Sequence, residues 1–221
     1  MNLFILFNIL VLVIGYLIGS LNFSILISKI FKKKDIRQVG SKNAGSTNML
    51  RTYGKKMAII TLILDVLKSA IPTIIVSILQ KNVTEFVYVV PLVTAIGVII
   101  GHIWPLYFKF KGGKGAACLL GAFFAFNLVI VLIGFVIFFS ILFISKYVSL
   151  SSLIAPFILV CLSFIPWFSL GQISFFTFYN QDLFWLNPLS LLIGDIFIIL
   201  AHKENIIRLI NKTERKLKIK K

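Results

Sequence analysis

A chain of 221 residues that is 59% hydrophobic and 14% charged, with a mean hydropathy of +1.00, is too apolar for a soluble globular domain and reads as an integral membrane protein. Its formal charge of +16 does not indicate nucleic acid, because 20 of the 23 Lys and Arg lie in three gaps between apolar stretches: nine within 29–56, three within 109–114 and eight within 203–221. That distribution is a topology signal, and it predicts one all-α, polytopic membrane domain over 1–221 with these three segments on the inner side.

The apolar run from Leu3 to Ile30 is too long for the core of a secretory signal and lacks a basic leader, so residues 2–30 are expected as a retained first helix with its N-terminus outside. Asn22, Ser24 and Ser28 near its inner end read as interfacial polar residues. The segment GSKNAGSTNMLRTYGKK (40–56) follows. Ser41, Asn43, Thr47 and Asn48 offer short donors and acceptors there, and Arg51 can grip a phosphate or carboxylate in a bidentate manner.

Residues 57–80 form a second span interrupted by Asp65, Lys68 and Pro72; the two charges, three apart on one face, can neutralise each other in the membrane. KNVTE (81–85) makes an outer loop with no net charge, and a third span over 86–108 leads to GHIWPLYFKFKGGKG (101–115). In this central segment Gly112, Gly113 and Gly115 are expected to turn their amides toward one point, surrounded by Lys109, Lys111 and Lys114. An apolar helix begins directly after Gly115, so its N-terminus adds to an anion site suited to phosphate. This is not a nucleotide P-loop, because Gly115 stands where Ser or Thr should follow Lys114.

Parity of the charged segments requires 116–145 to start and finish inside, which predicts a hairpin of two short helices broken near Asn127, each about 20 Å long. A span over 149–166, an outer stretch over 168–183 and a last span over 184–201 follow, giving about seven helices with that hairpin counted. Ser149, Ser151 and Ser152 fall at the inner interface. In AHKENIIRL (201–209), His202, Asn205 and Arg208 are spaced by three and share a helical face. The basic tail 211–221 is expected to be flexible. Cys118 and Cys161 lie in apolar runs without metal or disulfide spacing.

The three inner segments together resemble the motifs of the bacterial membrane glycerol-3-phosphate acyltransferases that use acyl phosphate as donor. DVLKSAIP (65–72) and KYVSLSS (146–152) extend the resemblance over nearly the whole chain, with Lys42, Ser46 and Ser69 standing where that family often has Gly, Ala and Gly. The resemblance implies transfer of a fatty acyl group to the 1-hydroxyl of glycerol 3-phosphate at the cytoplasmic face of the bacterial inner membrane. It also implies no cofactor or metal, and a functional link to the soluble enzyme that makes acyl phosphate from acyl carrier protein. Ser41, Arg51, Lys114, His202 and Asn205 would be the catalytic set, and Asn43, Thr47, Asn48, His102, Gly112, Gly113, Gly115 and Arg208 would bind substrate. His202, His102 or a substrate phosphate oxygen would take the hydroxyl proton.

Two other readings are weaker. A coenzyme-A-dependent acyltransferase with H-x-x-x-x-D is excluded by Tyr107 and Ile207, which stand five residues after His102 and His202. A small anion or phosphate-ester transporter would place its polar groups near the bilayer midplane and often carries inverted repeats. Here they cluster in inner loops, and no repeat is apparent.

Overall fold

A computed structural model describes residues 3–170 and 184–217, and every regular element among them is helical. The first apolar run is two helices, α1 (Leu3–Gly19) and α2 (Phe23–Lys32), rather than one. The break has a local and a distant cause: Asn22 caps α2 by accepting from the Ile25 amide at 3.2 Å, and the Gly19 and Leu21 carbonyls accept from Lys68 Nζ, far along the chain, at 3.1 and 2.9 Å. Asn22, Ser24 and Ser28 are therefore fully buried, not interfacial. Ser28 Oγ accepts from the Ile36 amide at 3.1 Å and donates to the Ile25 carbonyl, fixing the turn that leads into the first loop.

A short helix α3 (Ser46–Tyr53) precedes α4 (Lys55–Asn82), which at about 1.5 Å per residue is some 42 Å long and runs through Pro72 without ending. Then come α5 (Pro91–Ile103), α6 (Ala116–Phe126), α7 (Leu128–Ser145), α8 (Val148–Ser163), α9 (Pro166–Leu170), α10 (Leu186–Ala201) and α11 (Lys203–Ile210). The expected break falls on Asn127, whose Oδ1 accepts from the Val129 amide at 2.8 Å while its Nδ2 donates to the Phe168 carbonyl at 2.9 Å. The two arms are unequal, however, at 11 and 18 residues. Only α7 has the length and apolarity of a full span.

Among the described residues four segments meet that test, Leu3–Lys32, Lys55–Asn82, Pro91–Phe108 and Leu128–Ser145. A fifth is added if α10 and α11, bent by 61°, count as one. The polytopic all-α class holds, while the expected count of seven does not follow, because α6 and α8 are shorter apolar helices. Residues 171–183, most of the expected outer stretch, lie outside the described residues.

The core gathers α5, α6, α7, α8 and α10 around Leu92, Ile99, Leu119, Phe123, Phe126 and Leu191. On its other side α5 packs on α1 with almost no side chain between them. Gly15 and Gly19 on α1 face Gly97 and Gly101 on α5, and a Cβ at any of the four would come within 2.2 Å of a carbonyl oxygen on the opposite helix. These are two GxxxG patterns, in a solvent where close backbone approach and dispersion replace the hydrophobic effect.

Gly97→Leu is expected to abolish monodisperse folded protein in detergent, because the side chain must displace backbone. Ile14→Ala, on the exposed face of α1, should leave thermal stability within about 0.5 kcal/mol. Size-exclusion profiles and thermal unfolding of the two variants check this.

Candidate active site

The first loop is built around one buried amide. Asn48 Oδ1 accepts from the Ser41 amide at 2.8 Å, and its Nδ2 lies within 3.1 Å of the Ile36, Val39 and Asn43 carbonyls. Asn48 borders the site but spends its amide on the loop, so it presents Ser41, Asn43 and Thr47 rather than offering a free group to substrate. Gly40, at φ +62°, is required by the same packing: a Cβ there would lie 2.2 Å from Asn48 Oδ1. Arg37 ties this loop to the central one, pairing with Asp35 at 2.7 Å and donating to the Phe108 and Lys111 carbonyls, each at 2.9 Å. The hydrogen bond from Arg37 holds the Asp35 carboxyl below its usual range, against the opposing effect of burial.

The central loop is anchored differently from the expected nest of three glycine amides. Gly112 donates to the Ile103 carbonyl at 3.1 Å and Gly113 to the His102 carbonyl at 3.0 Å, so both amides are used inside the loop. The left-handed positions are Lys109, Phe110 and Gly115; Gly112 and Gly113 are glycine because backbone approaches them. A Cβ on Gly112 would meet the His102 carbonyl oxygen at 2.0 Å, and one on Gly113 would meet His102 Nε2 at 2.2 Å. Gly115, at φ +85°, caps α6 and leaves the first-turn amides of that helix to an anion.

Beneath the loop, Lys68 Nζ lies 3.0 Å from Asp65 Oδ1 and 2.9 Å from His102 Nδ1, all three side chains being buried. Cys118 joins Asp65 and His102 in a group whose ligand atoms lie within 4.8 Å of one another, but the Lys68 ammonium already supplies the positive charge there. His102, expected among the substrate ligands, borders the cavity floor and chiefly braces Gly113 from below.

The third segment converges on the same space. His202 Nδ1 sits 2.8 Å from the Ile198 carbonyl, which assigns the proton to Nδ1 in the neutral ring and leaves Nε2 as an acceptor. Lys114 Nζ donates to Asn205 Oδ1, whose Nδ2 donates to Glu214 Oε1 at 3.1 Å. Arg208 pairs with Glu214 at 2.8 Å and with Glu204 at 3.4 Å. Burial, reinforced by the Arg208 charge, lowers the Lys114 ammonium to about 8. The Arg208 hydrogen bond and charge overcome burial at Glu214 and hold its carboxyl below the usual range.

These pieces enclose a polar cavity of about 680 Å³, bordered by 12 of the 13 residues expected from sequence; only Gly112 stands back from it. It adjoins an apolar groove of about 440 Å³ between α4, α6, α7 and α8, and the two share Ser46, Thr47, Ala116, Ala117, Val148 and Ser152. Sequence reasoning left Ser149 and Ser152 as interface residues and missed Glu214 and Arg215, which also border the polar cavity. The only signal was one carboxylate within KTERKLKIKK (212–221). Residues 211–217 are not a loose tail: Thr213 donates to the Arg208 carbonyl and Leu217 to the Lys146 carbonyl, both at 2.8 Å.

Comparisons with known proteins agree with this geometry. The family model described as glycerol-3-phosphate acyltransferase matches residues 9–212. A protein named glycerol-3-phosphate acyltransferase from Mycoplasma mobile is 45% identical, over 97% of this chain and 94% of its own length. Its counterpart from Mycoplasmopsis synoviae is also 45% identical, over 97% and 96%. Among solved structures, the glycerol 3-phosphate form of PlsY (YgiH), an integral membrane glycerol 3-phosphate acyltransferase, superposes with a TM-score of 0.76 at 30% identity, covering 96% of both chains. The lysophosphatidic acid form of the same protein gives 0.75 at 29% identity, covering 96% of this chain and 95% of that one. With a family model spanning nearly its full length, relatives this similar, and a cationic cavity opening onto an apolar groove, this chain belongs to the glycerol-3-phosphate acyltransferase family.

Proposed function

We propose that the chain transfers a fatty acyl group from acyl phosphate to the 1-hydroxyl of glycerol 3-phosphate, yielding lysophosphatidic acid and inorganic phosphate. The observation that carries this reading is the junction of the two cavities. Cationic and amide groups line one side, an acyl-sized apolar groove lies on the other, and Ser46, Thr47 and Ser152 stand at the seam. The solved relatives bound to glycerol 3-phosphate and to lysophosphatidic acid support the acceptor and the product.

In the reaction the glycerol oxygen bonds to the acyl carbonyl carbon, the bond from that carbon to the phosphate oxygen breaks, and phosphate leaves with its electron pair. The donor is already activated, so no enzyme nucleophile is needed. Arg51, Lys114, His202 and Asn205 hold glycerol 3-phosphate and offset charge on the departing phosphate, a kind of stabilisation worth roughly 3 kcal/mol per donor in other enzymes. Ser41 positions the donor or its carbonyl. The hydroxyl proton has two acceptors in reach of this arrangement, His202 Nε2 and an oxygen of the departing phosphate.

A coenzyme A donor would need room for a nucleotide and a positioned base for a thiol leaving group. The inner segments are too short to add such a domain. The clustering of basic residues near the cavity supports a cytoplasmic site in the bacterial inner membrane, where acyl phosphate arrives from the soluble enzyme that makes it.

Turnover of the purified protein with matched acyl chains on phosphate, coenzyme A and acyl carrier protein tests the donor. Only the phosphate should support acylation, and comparable rates with coenzyme A would overturn the reading. Lys114→Ala should raise the KM for glycerol 3-phosphate and lower kcat, whereas Lys111→Ala, in the same loop but away from the cavity, should change neither by more than about twofold. Because Lys114 loses its proton as pH rises through about 8 while the substrate phosphate stays dianionic, KM for glycerol 3-phosphate should climb between pH 7 and 9. The same titration in Lys114→Arg, whose side chain keeps its charge, should be flat.

A further inference from the structure

The segment after α11 crosses the mouth of the polar cavity and is fastened on three sides. Thr213 donates to the Arg208 carbonyl, Arg215 Nη1 donates to the Gly40 carbonyl at 3.2 Å, and Leu217 donates to the Lys146 carbonyl. Midway along it, the Arg215 carbonyl accepts from Arg51 Nη2 at 3.4 Å. Glu214 and Arg215 face the polar cavity, while Leu217 lines the apolar groove, so the segment is a shared wall of both.

Charge along this wall is unequal. Three carboxylates border the cavity, and each is engaged: Asp65 with Lys68, and both Glu204 and Glu214 with Arg208. Lys42, Arg51, Lys114 and Arg215 also border it, and among the described residues no carboxylate pairs with any of them. Lys42, Arg51 and Arg215 are exposed where Lys114 is half-buried, and partial burial followed by the Arg215 charge lowers the proton affinity of Arg51. Arg51 and Arg215 border the same cavity, the first held on the Arg215 carbonyl and the second on the Gly40 carbonyl, and neither forms an ion pair among the described residues, so both keep N–H groups for an anion with several oxygens.

We propose that Arg215, carried to the cavity mouth by residues 213–217 and steadied on the Gly40 carbonyl, is a further binding residue for a monosubstituted phosphate dianion. The inference rests on the acyltransfer reading for the identity of that dianion, which is the phosphate of either glycerol 3-phosphate or the acyl donor. Fastening the segment requires only a donor to Gly40, and a neutral amide supplies one. The positive charge at this position serves the ligand.

The test uses the full-length protein with Arg215→Gln, Arg215→Lys and Arg215→Glu. Arg215→Gln keeps a donor for Gly40 without the charge, and it should raise KM for one of the two phosphate substrates about tenfold with kcat within about twofold, as expected for one charged hydrogen bond. Arg215→Lys should restore most of the loss. A rise confined to glycerol 3-phosphate assigns the acceptor phosphate, and a rise confined to acyl phosphate assigns the donor. If Arg215→Gln does not fold, Arg215→Lys and Arg215→Glu, matched in thermal stability, should still differ at least tenfold in affinity.

Calorimetric titration of the purified proteins with inorganic phosphate and with glycerol 3-phosphate separates this from the reaction itself. If the wild type fails to use acyl phosphate, the donor reading falls, while weaker anion binding by Arg215→Gln still upholds the Arg215 site. Equal KM values for both substrates and equal phosphate affinity in wild type and Arg215→Gln, or in Arg215→Lys and Arg215→Glu, would overturn it.

Discussion

An ammonium buried in a membrane span must be surrounded by acceptors, and Lys68 dictates much of the surrounding architecture. It collects the Gly19 and Leu21 carbonyls, Asp65 and the His102 ring from α1, α4 and α5. Each contact has a structural effect. The carbonyls taken from α1 mark where the first helix breaks, and that break turns α2 toward the first loop. The contact with His102 presents the opposite edge of the imidazole to Gly113, setting the height of the central loop. Removing one partner from such a group leaves an uncompensated buried charge, which is far costlier than never having placed the group there.

Above this base, three loops distant in sequence are linked mainly by hydrogen bonds. Arg37 joins the first loop to the second, Lys114 and Asn205 join the second to the third, and Arg215 joins the C-terminal segment back to the first. Backbone amides that looked available for substrate are partly consumed in this work. What remains for an anion is the start of α6, the free His202 nitrogen and the cations. The site is thus a rigid polar rim on an apolar bundle, consistent with a reaction needing orientation and charge stabilisation more than a chemically reactive side chain.

Much of this was legible in the chain. Asn127 announced the hairpin break because an isolated amide in an apolar run has few uses other than capping. The three polar segments announced the site because glycine, hydroxyl and basic residues recurred in the gaps between apolar stretches, and these gaps meet at one cavity. Other features were hidden for identifiable reasons. The break between α1 and α2 depends on a lysine 47 residues beyond Leu21, which no local pattern encodes. Asn48 and Gly113 carry the composition of ligand-binding residues but serve the backbone. The paired GxxxG patterns at Gly15, Gly19, Gly97 and Gly101 were present in the letters, though only their facing arrangement reveals the helix crossing. Glu214 and Arg215 sat in a stretch whose composition suggested a solvated tail.

The groove between α4 and α7 has a kinetic consequence of its own. Ile59, Leu62, Phe135 and Phe139 line it, and each is itself an exposed apolar residue on the outside of the bundle, so the groove faces the hydrocarbon of the leaflet. A fatty chain entering there need never leave the lipid phase, and only its polar end travels into the cavity. For that substrate the relevant concentration is its mole fraction in the membrane, and dilution with inert lipid or detergent slows encounter even when the bulk amount is unchanged. On the proposed reaction the acylated product keeps the same anchorage, so its departure is lateral diffusion within one leaflet, with no passage of the chain through water.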